Sequence, residues 1–324
     1  YDPAAKSYAH EAGEQALRAA LKRRKIIAEV LPGKRMFYYQ VKRKIKKHEL
    51  VSIIIPFKDK AELLTQCLNA ILDKSTYQNY EIIGISNNST EEETFRVMKD
   101  YQSKDKRISF YEYNEPFNFA AINNFAVTKA KGVHVLFLNN DIEIITEDWL
   151  QALLEHSQRK DIGAVGGKLY FANKSIQHAG VIIGINGFAG HSHKRLPGEA
   201  DGYFGRLTCI QNVSAVTGAL LMIKKRAFDQ VNGFDERFAV AFNDIDFCLR
   251  LREKGYLHVF TPFCEAIHYE SISRGSDKSK VNRERFEEEK QLFMERHASL
   301  LIKGDPFYNP NLSLRSEKFY YKND

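Results

Sequence analysis

Three separated polar clusters carry side chains able to do chemistry. Asn139-Asn140-Asp141 ends a short apolar run, Val133 to Leu138. Asn243-Asp244-Ile245-Asp246 opens a segment with the pattern of a helix. His268 closes another short apolar stretch and precedes Ser271-Ile272-Ser273-Arg274-Gly275. One carboxylate beside two amides suits a hard cation, Mg2+ or Mn2+, which keeps water and phosphate oxygens as its other ligands. Asn and Asp also form turns, so a plain turn competes with that reading. Asp244 and Asp246 stand two apart, so on a helix they point about 200° from one another. They cannot both face one ligand. One serves the helix start, and the other is available as a general base. His268 is either a satisfied buried histidine or a metal ligand that completes a set with Asp141. Arg274 has the type to clamp a phosphate. His191 and His193 share one side of an extended chain, but a zinc site there lacks a third ligand nearby.

The elements that must position these groups follow from hydrophobic patterning. Val133 to Leu138 follows the helix stop Lys131-Gly132 and is a short apolar run with branched and aromatic residues, so it reads as a buried central strand of a parallel sheet. Polar groups at the carboxyl end of such a strand sit where open α/β sheets bind ligands. Strands over Val51–Ile55, Tyr80–Ile85 and Ile108–Tyr113 alternate with helices over Lys60–Leu72, Glu91–Tyr101 and Phe117–Ala130. That alternation implies parallel βαβ units and an α/β fold. The second half is less regular. A helix holds Trp149–His156, and strands are expected over Gly163–Phe171, Ala179–Ile185, Leu257–Phe260 and Glu265–His268. A further strand, Val213–Ile223, is broken at Thr217-Gly218, and Phe188–Gly205 is a long loop. Helices over Asn243–Lys254 and Val281–His297 precede a loosely patterned tail after Gly304.

With 324 residues, 44% of them hydrophobic, the chain can bury one large α/β core. The net charge of +7 favours anionic partners. Much of it lies in Lys22 to Lys25 and Lys42 to Lys47. Such a run is ordinarily a solvated face. Its sharper reading is contact with anionic lipid headgroups, each basic residue contributing on the order of 1 kcal/mol. Around these runs, Ser7–Val30 favours helix and Phe37–Val41 an edge strand. The basic residues lack the aromatic interleaving of a base-stacking surface, which argues against nucleic acid. The four cysteines are far apart and lack metal-type spacing, as in a cytosolic protein. No apolar run approaches the roughly 20 residues of a membrane span. The chain starts at Tyr1, as a segment of a longer protein would.

The order of motifs is more specific than any one of them. Val-Ser-Ile-Ile-Ile-Pro at 51–56, Asn-Asn-Ser-Thr at 87–90, Leu-Asn-Asn-Asp at 138–141 and Val-Thr-Gly-Ala at 216–219 are followed by Gly-Phe-Asp-Glu at 233–236. Then come Phe-Asn-Asp-Ile-Asp-Phe-Cys-Leu-Arg at 242–250 and His268 with Ser273-Arg274. Between Leu50 and Arg274 the chain thus resembles the inverting glycosyltransferases of family 2. Gln177-His178-Ala179-Gly180 and Ala189-Gly190-His191-Ser192-His193 resemble a bacterial branch that builds O-antigen, capsule or rhamnose-rich polysaccharide, often within a multidomain synthase.

The resemblance implies a GT-A fold, with a Rossmann-like, mostly parallel sheet, a smaller mixed acceptor-side sheet and helical extensions at both ends. It implies a basic extension over 1–49, a glycosyltransferase domain over 50–275 divided at 141/142, and a C-terminal helix and tail over 276–324. It makes Asp244 the catalytic base, and Asp141 and His268 the ligands of Mn2+ or Mg2+. Pro56, Phe57, Lys58, Ser86, Asn88, Asn118, Asn139, Asn140 and Arg274 fall to the nucleotide, and Thr217, Gly218, Asp246 and His191 to the acceptor. Asn139 stands where the family has an acidic residue, and Ser86 where it usually has an aspartate at the nucleotide. The implied donor is a dTDP- or UDP-sugar. The implied acceptor is an oligosaccharide or lipid-linked glycan, reached from the cytoplasm at the inner face of the membrane. Two other readings stand beside it. One is a non-catalytic carbohydrate or lipid-carrier binding module. The other is a sugar nucleotidyltransferase, disfavoured because no Gly-rich, Lys/Arg-bearing phosphate loop follows the first strand.

Overall fold

The computed structural model describes residues 7–270 and 280–322. It opens with helix α1 (Ser7–Arg23) and an antiparallel hairpin, β1 (Ala28–Pro32) and β2 (Tyr39–Arg43). Helix propensity extends to Val30, but the helix stops seven residues earlier, at Arg23. Lys25 turns left-handed at φ 54°, and Ile26 N–H bonds back to the Leu21 carbonyl. That is a Schellman-type ending, and it turns Val30 into a buried strand residue. The edge strand likewise begins at Tyr39 rather than Phe37.

The alternating segment forms β3 (Val51–Phe57), α2 (Ala61–Lys74), β4 (Tyr80–Ser86), α3 (Glu92–Lys104), β5 (Ile108–Glu112), α4 (Phe119–Val127) and β6 (His134–Leu138). The four strands are parallel, in the order β6-β3-β4-β5. The three inner strands β6, β3 and β4 are rich in apolar residues because both faces are covered. Ile53 and Ile55 pack with Leu64, Leu68 and Ile71 of α2. Ile54, Val135 and Phe137 pack on the other face with Ala120 and Ala126 of α4.

The second half comprises β7 (Ile142–Ile144), α5 (Trp149–Ser157), β8 (Ile162–Tyr170), β9 (Ile176–His178), β10 (Val181–Ile183), β11 (Ala189–His191), β12 (Gln211–Val213), β13 (Leu220–Lys224), α6 (Lys225–Asp229), α7 (Asn243–Glu253) and β14 (Leu257–His268). Strand β13 runs antiparallel between β6 and β8, β14 runs parallel to β8, and β12 closes the edge. The expected separate acceptor-side sheet is therefore the continuation of one 10-stranded mixed sheet. Two expected short strands are one, β14, whose pairing with β8 shifts register between Phe260 and Glu265. The strand expected over Ala179–Ile185 is split by Gly180 at φ 93°, and the long loop contributes β11, paired to β10.

Helices α8 (Lys280–Arg296) and α9 (Ala298–Lys303) follow. The tail, expected to be loose, buries Tyr308, Leu312 and Phe319 against Ile182 and Ile185. Asp305 accepts from Ile183 N–H at 2.8 Å and from Ser214 Oγ at 2.7 Å. The N-terminal hairpin is tied to α5, where Arg43 N–H donates to Glu155 at 2.6 Å, and to Asp148 just before it, through Lys42 at 2.8 Å. Arg23, Arg24, Lys25, Lys44, Lys46 and Lys47 stay exposed. Among the described residues no helix is long and apolar enough to cross a membrane.

Candidate active site

The chain leaves β6 at Asn139, whose N–H bonds to Ala219 O at 3.0 Å, and turns into β7. Strand β7 pairs with the end of β14 so that Ile142 faces His268. This register places Asp141 Oδ1 3.1 Å from His268 Nε2. Gln177, at the middle of β9, orients the imidazole. Its Oε1 lies 2.8 Å from His268 Nδ1, and its amide nitrogen faces the His268 carbonyl and Glu270. An amide oxygen only accepts, so Nδ1 carries the proton and Nε2 its lone pair. Asn139 Nδ2 donates to that same Nε2 at 3.2 Å, in agreement.

The Asp141 carboxylate oxygen and His268 Nε2 thus face one another. Both atoms are of the type that ligates a cation placed between them. Adjacent ligands of an octahedral ion with bonds of about 2.1 Å stand roughly 3.0 Å apart, which matches this pair. The residues therefore fit a divalent ion. Among the described residues no group of three or more His, Cys, Asp and Glu side chains is placed to hold a metal. The remaining positions would go to water and phosphate, the habit of Mg2+ and Mn2+. Outer partners of metal-binding histidines typically contribute 10- to 100-fold to affinity. Gln177→Ala is therefore expected to weaken Mn2+-dependent UDP binding by about that factor, measured by calorimetric titration. Unchanged Mn2+ dependence would remove Gln177 from this role.

Asp244 lies in the first turn of α7, where its charge complements the positive end of the helix. Its Oδ2 accepts from Gly218 N–H at 2.7 Å and its Oδ1 from Ile245 N–H at 2.8 Å. Burial pushes this carboxyl above its ordinary pKa, partly opposed by those bonds. The Gly218-Ala219 dipeptide links the two centres: Gly218 holds Asp244, and Ala219 O holds Asn139. The site is close-packed at Gly218, where an added Cβ would come 3.3 Å from the Phe119 ring and 3.4 Å from Asp244 Cβ.

Asp246 does not face the cleft. It is fully buried, with Oδ2 on Arg250 at 2.7 Å and Oδ1 on Arg296 at 2.6 Å and His297 at 3.0 Å. Its expected acceptor role gives way to an ion cluster tying α7 to the C-terminal helices. The half-turn between i and i+2 sends one carboxylate to Gly218 and the other to Arg296.

On the nucleotide side, β3 and β4 end together, with Phe57 paired to Ser86. Pro56 and Lys58 flank Phe57, and Lys58 is exposed. Asp59, which residue types alone did not single out, organises this edge. Its Oδ1 accepts from Thr90 N–H at 2.7 Å and Glu91 N–H at 2.9 Å, while its own N–H reaches Ser89. Asn88 and Asn118, expected at the nucleotide, hold backbone instead. Asn88 donates to Glu115 O, and Asn118 caps α4 through Ala121 N–H and donates to Glu236 O. Asn140 is buried, and its Nδ2 has no hydrogen-bond partner among the described residues. Arg274 lies outside the described residues.

On the acceptor side, His191 meets a buried partner, His178, with their Nδ1 atoms 2.8 Å apart. His178 Nε2 accepts from Gly180 N–H at 3.2 Å and Thr217 N–H at 3.4 Å. His178 therefore donates from Nδ1, and His191 keeps its proton on Nε2. Both stay neutral, because burial lowers each pKa, that of His191 to about 3. His193 is left-handed at φ 60° and turns elsewhere, to Ser192 Oγ, Tyr203 N–H and the Phe319 ring. The two-histidine zinc arrangement is not formed.

Fold and side-chain geometry together define an α/β domain with metal-ligand types after β6 and at the end of β14, and a carboxylate in the first turn of α7. Residues 52–231 match the family model described as glycosyl transferase family 2, and the chain belongs to that family. It is 43% identical over 318 residues to an uncharacterised protein, y4gI, of Sinorhizobium fredii, covering 97% of this chain and 35% of that one. It is 39% identical over 308 residues to the O-antigen biosynthesis protein RfbC of Myxococcus xanthus, covering 94% of this chain and 24% of that one. The chain thus spans about a quarter to a third of these relatives' lengths. Its fold is that of a Pyrobaculum calidifontis mannosyltransferase solved with GDP-Man and Mn2+, with a TM-score of 0.55, 17% identity, and coverage of 86% of this chain and 70% of that one. The fold class is GT-A.

Proposed function

We propose that the chain is the catalytic module of an inverting, divalent-metal-dependent glycosyltransferase. It moves a sugar from a nucleoside diphosphate to a hydroxyl of a bacterial surface polysaccharide. One observation carries this reading: the Asp141–His268 pair and Asp244 are joined through the Gly218-Ala219 dipeptide. The O-antigen name of RfbC and the Mn2+ of the mannosyltransferase support it.

Asp141 and His268 would hold the ion, with Gln177 fixing the imidazole. When bound, the ion neutralises the negative charge that grows on the departing diphosphate. The ends of β3 and β4 receive the nucleotide at the carboxyl edge of the sheet. Asp244 takes the proton of the acceptor hydroxyl as its oxygen attacks the anomeric carbon. The bond to the diphosphate breaks on the opposite face, so the configuration inverts. Asp244 is recessed, and its raised pKa makes it a better proton acceptor than an exposed aspartate. Neutral His191 and Thr217 line the acceptor side. The exposed basic end of the hairpin would rest on the anionic inner face of the cytoplasmic membrane, where a lipid-linked acceptor lies.

The test is a panel of UDP-, GDP- and dTDP-sugars with Mn2+ or Mg2+, read for hydrolysis and transfer, with NMR assignment of the product anomer. A retained configuration, or no turnover of any donor, would sink the reading. Flotation with phosphatidylserine vesicles checks the membrane clause, and a protein that stays unbound at low salt removes it.

A further inference from the structure

Helix α8 lies beyond the segment matched by the family model, as does Asp244. Yet α8 and His297 after it grip the chain on both sides of Asp244. Before it, the buried Glu289 carboxylate accepts from Ala241 N–H at 2.6 Å and from Val240 N–H at 3.2 Å. These amides stand three and four residues ahead of Asp244. Next comes Phe242, left-handed at φ 62°, a conformation that bulky residues rarely adopt. Its ring stacks on Phe293 at 5.0 Å and leans on Phe286 at 5.6 Å, both from α8. After Asp244, Arg296 reaches Asp246 at 2.6 Å and Asp235 at 2.7 Å.

A buried carboxylate is unfavourable unless its oxygens are satisfied. The Arg285 guanidinium is 3.9 Å away, beyond hydrogen-bond distance, so the backbone amides do most of that work. An apolar side chain would fill the space without the desolvation of a charge. A carboxylate stands here because two backbone donors need an acceptor next to a strained residue. Strain of this kind persists only when the surroundings hold it.

We propose that Glu289 is a positioning residue for the base. By fixing Val240 and Ala241 it holds Phe242 in its left-handed conformation, and so sets where the Asp244 carboxylate stands against Gly218. This rests on the reading of Asp244 as the base. The C-terminal helix thereby belongs to the catalytic apparatus through the backbone that it holds.

The test pairs kinetics with amide hydrogen exchange. Displacing a reacting group by about 1 Å costs up to 100-fold in rate. Glu289→Gln is expected to lower kcat by about 10- to 100-fold, with donor KM and Mn2+-dependent UDP affinity unchanged. The amides of Ala241 and Gly218, the latter bonded to Asp244, should lose about tenfold in protection, while those of Val135 to Leu138 keep theirs. Glu287→Gln, on the exposed side of the same helix, should behave as wild type. If Glu289→Gln does not fold, Phe286→Ala should give the same local signature. Full kcat in Glu289→Gln, or protection lost evenly across the sheet, overturns the proposal. Freely exchanging Val240 and Ala241 amides in the folded wild type overturn it as well. Asp244→Asn separates the two ideas: a fully active Asp244→Asn defeats the base reading itself, whereas the exchange pattern reports on Glu289 alone.

Discussion

Asp244→Asn is expected to lower sugar-transfer turnover by about a thousandfold, within the range that a positioned general base contributes. The substitution keeps the shape, and Oδ1 of the new amide can still accept from one backbone N–H. It removes the lone pair that takes the acceptor's proton. On the proposed reading the nucleotide is held by the ion at Asp141 and His268 and not by Asp244, so Mn2+-dependent UDP affinity should stay near wild type. The pH profile carries a second signature. Burial raises the Asp244 pKa, and the base works only when deprotonated. Activity should therefore fall on acidification through a pKa above the ordinary carboxylate range, and Asp244→Asn should lose that limb. Wild-type turnover in Asp244→Asn would reassign the base.

The second large effect concerns the metal pair. Exhaustive chelation is expected to reduce transfer at least a hundredfold, with recovery on adding Mn2+. Asp141→Asn and His268→Ala should lower the rate comparably and should not recover at the Mn2+ level that restores wild type. The reason is geometric: His268 Nε2 and Asp141 Oδ1 stand 3.1 Å apart, the spacing of adjacent ligands, and either substitution leaves a single protein ligand. Undiminished transfer under chelation would show that protein groups alone neutralise the leaving diphosphate.

The fold's first half was legible because its physics is local. Val135 to Leu138 is apolar without interruption because β6 is buried on both faces, and the polar groups after it mark the ligand edge. The opposed directions of Asp244 and Asp246 follow from helix geometry, although which of them faces the cleft does not. Strand neighbours are not written in strand residues. Nothing in Leu220 to Lys224 says that it lies antiparallel between β6 and β8, so one continuous sheet reads as two. Gln177 stands in a motif of the sequence, but its hold on His268 is legible only when β9 is brought beside the end of β14. The tail misled for another reason: three buried side chains, Tyr308, Leu312 and Phe319, are diluted by polar neighbours. Asn118 shows the converse, a residue of binding type used as a helix cap.

The pairing of β13 with β6, five residues long from Leu220↔Leu138 to Lys224↔His134, has a mechanical consequence. It joins the parallel strands of the first half and the mixed strands of the second half into one continuous sheet. Asn139 at the end of β6 and the Gly218-Ala219 dipeptide before β13 are thereby held at a fixed spacing by backbone hydrogen bonds rather than by side-chain packing.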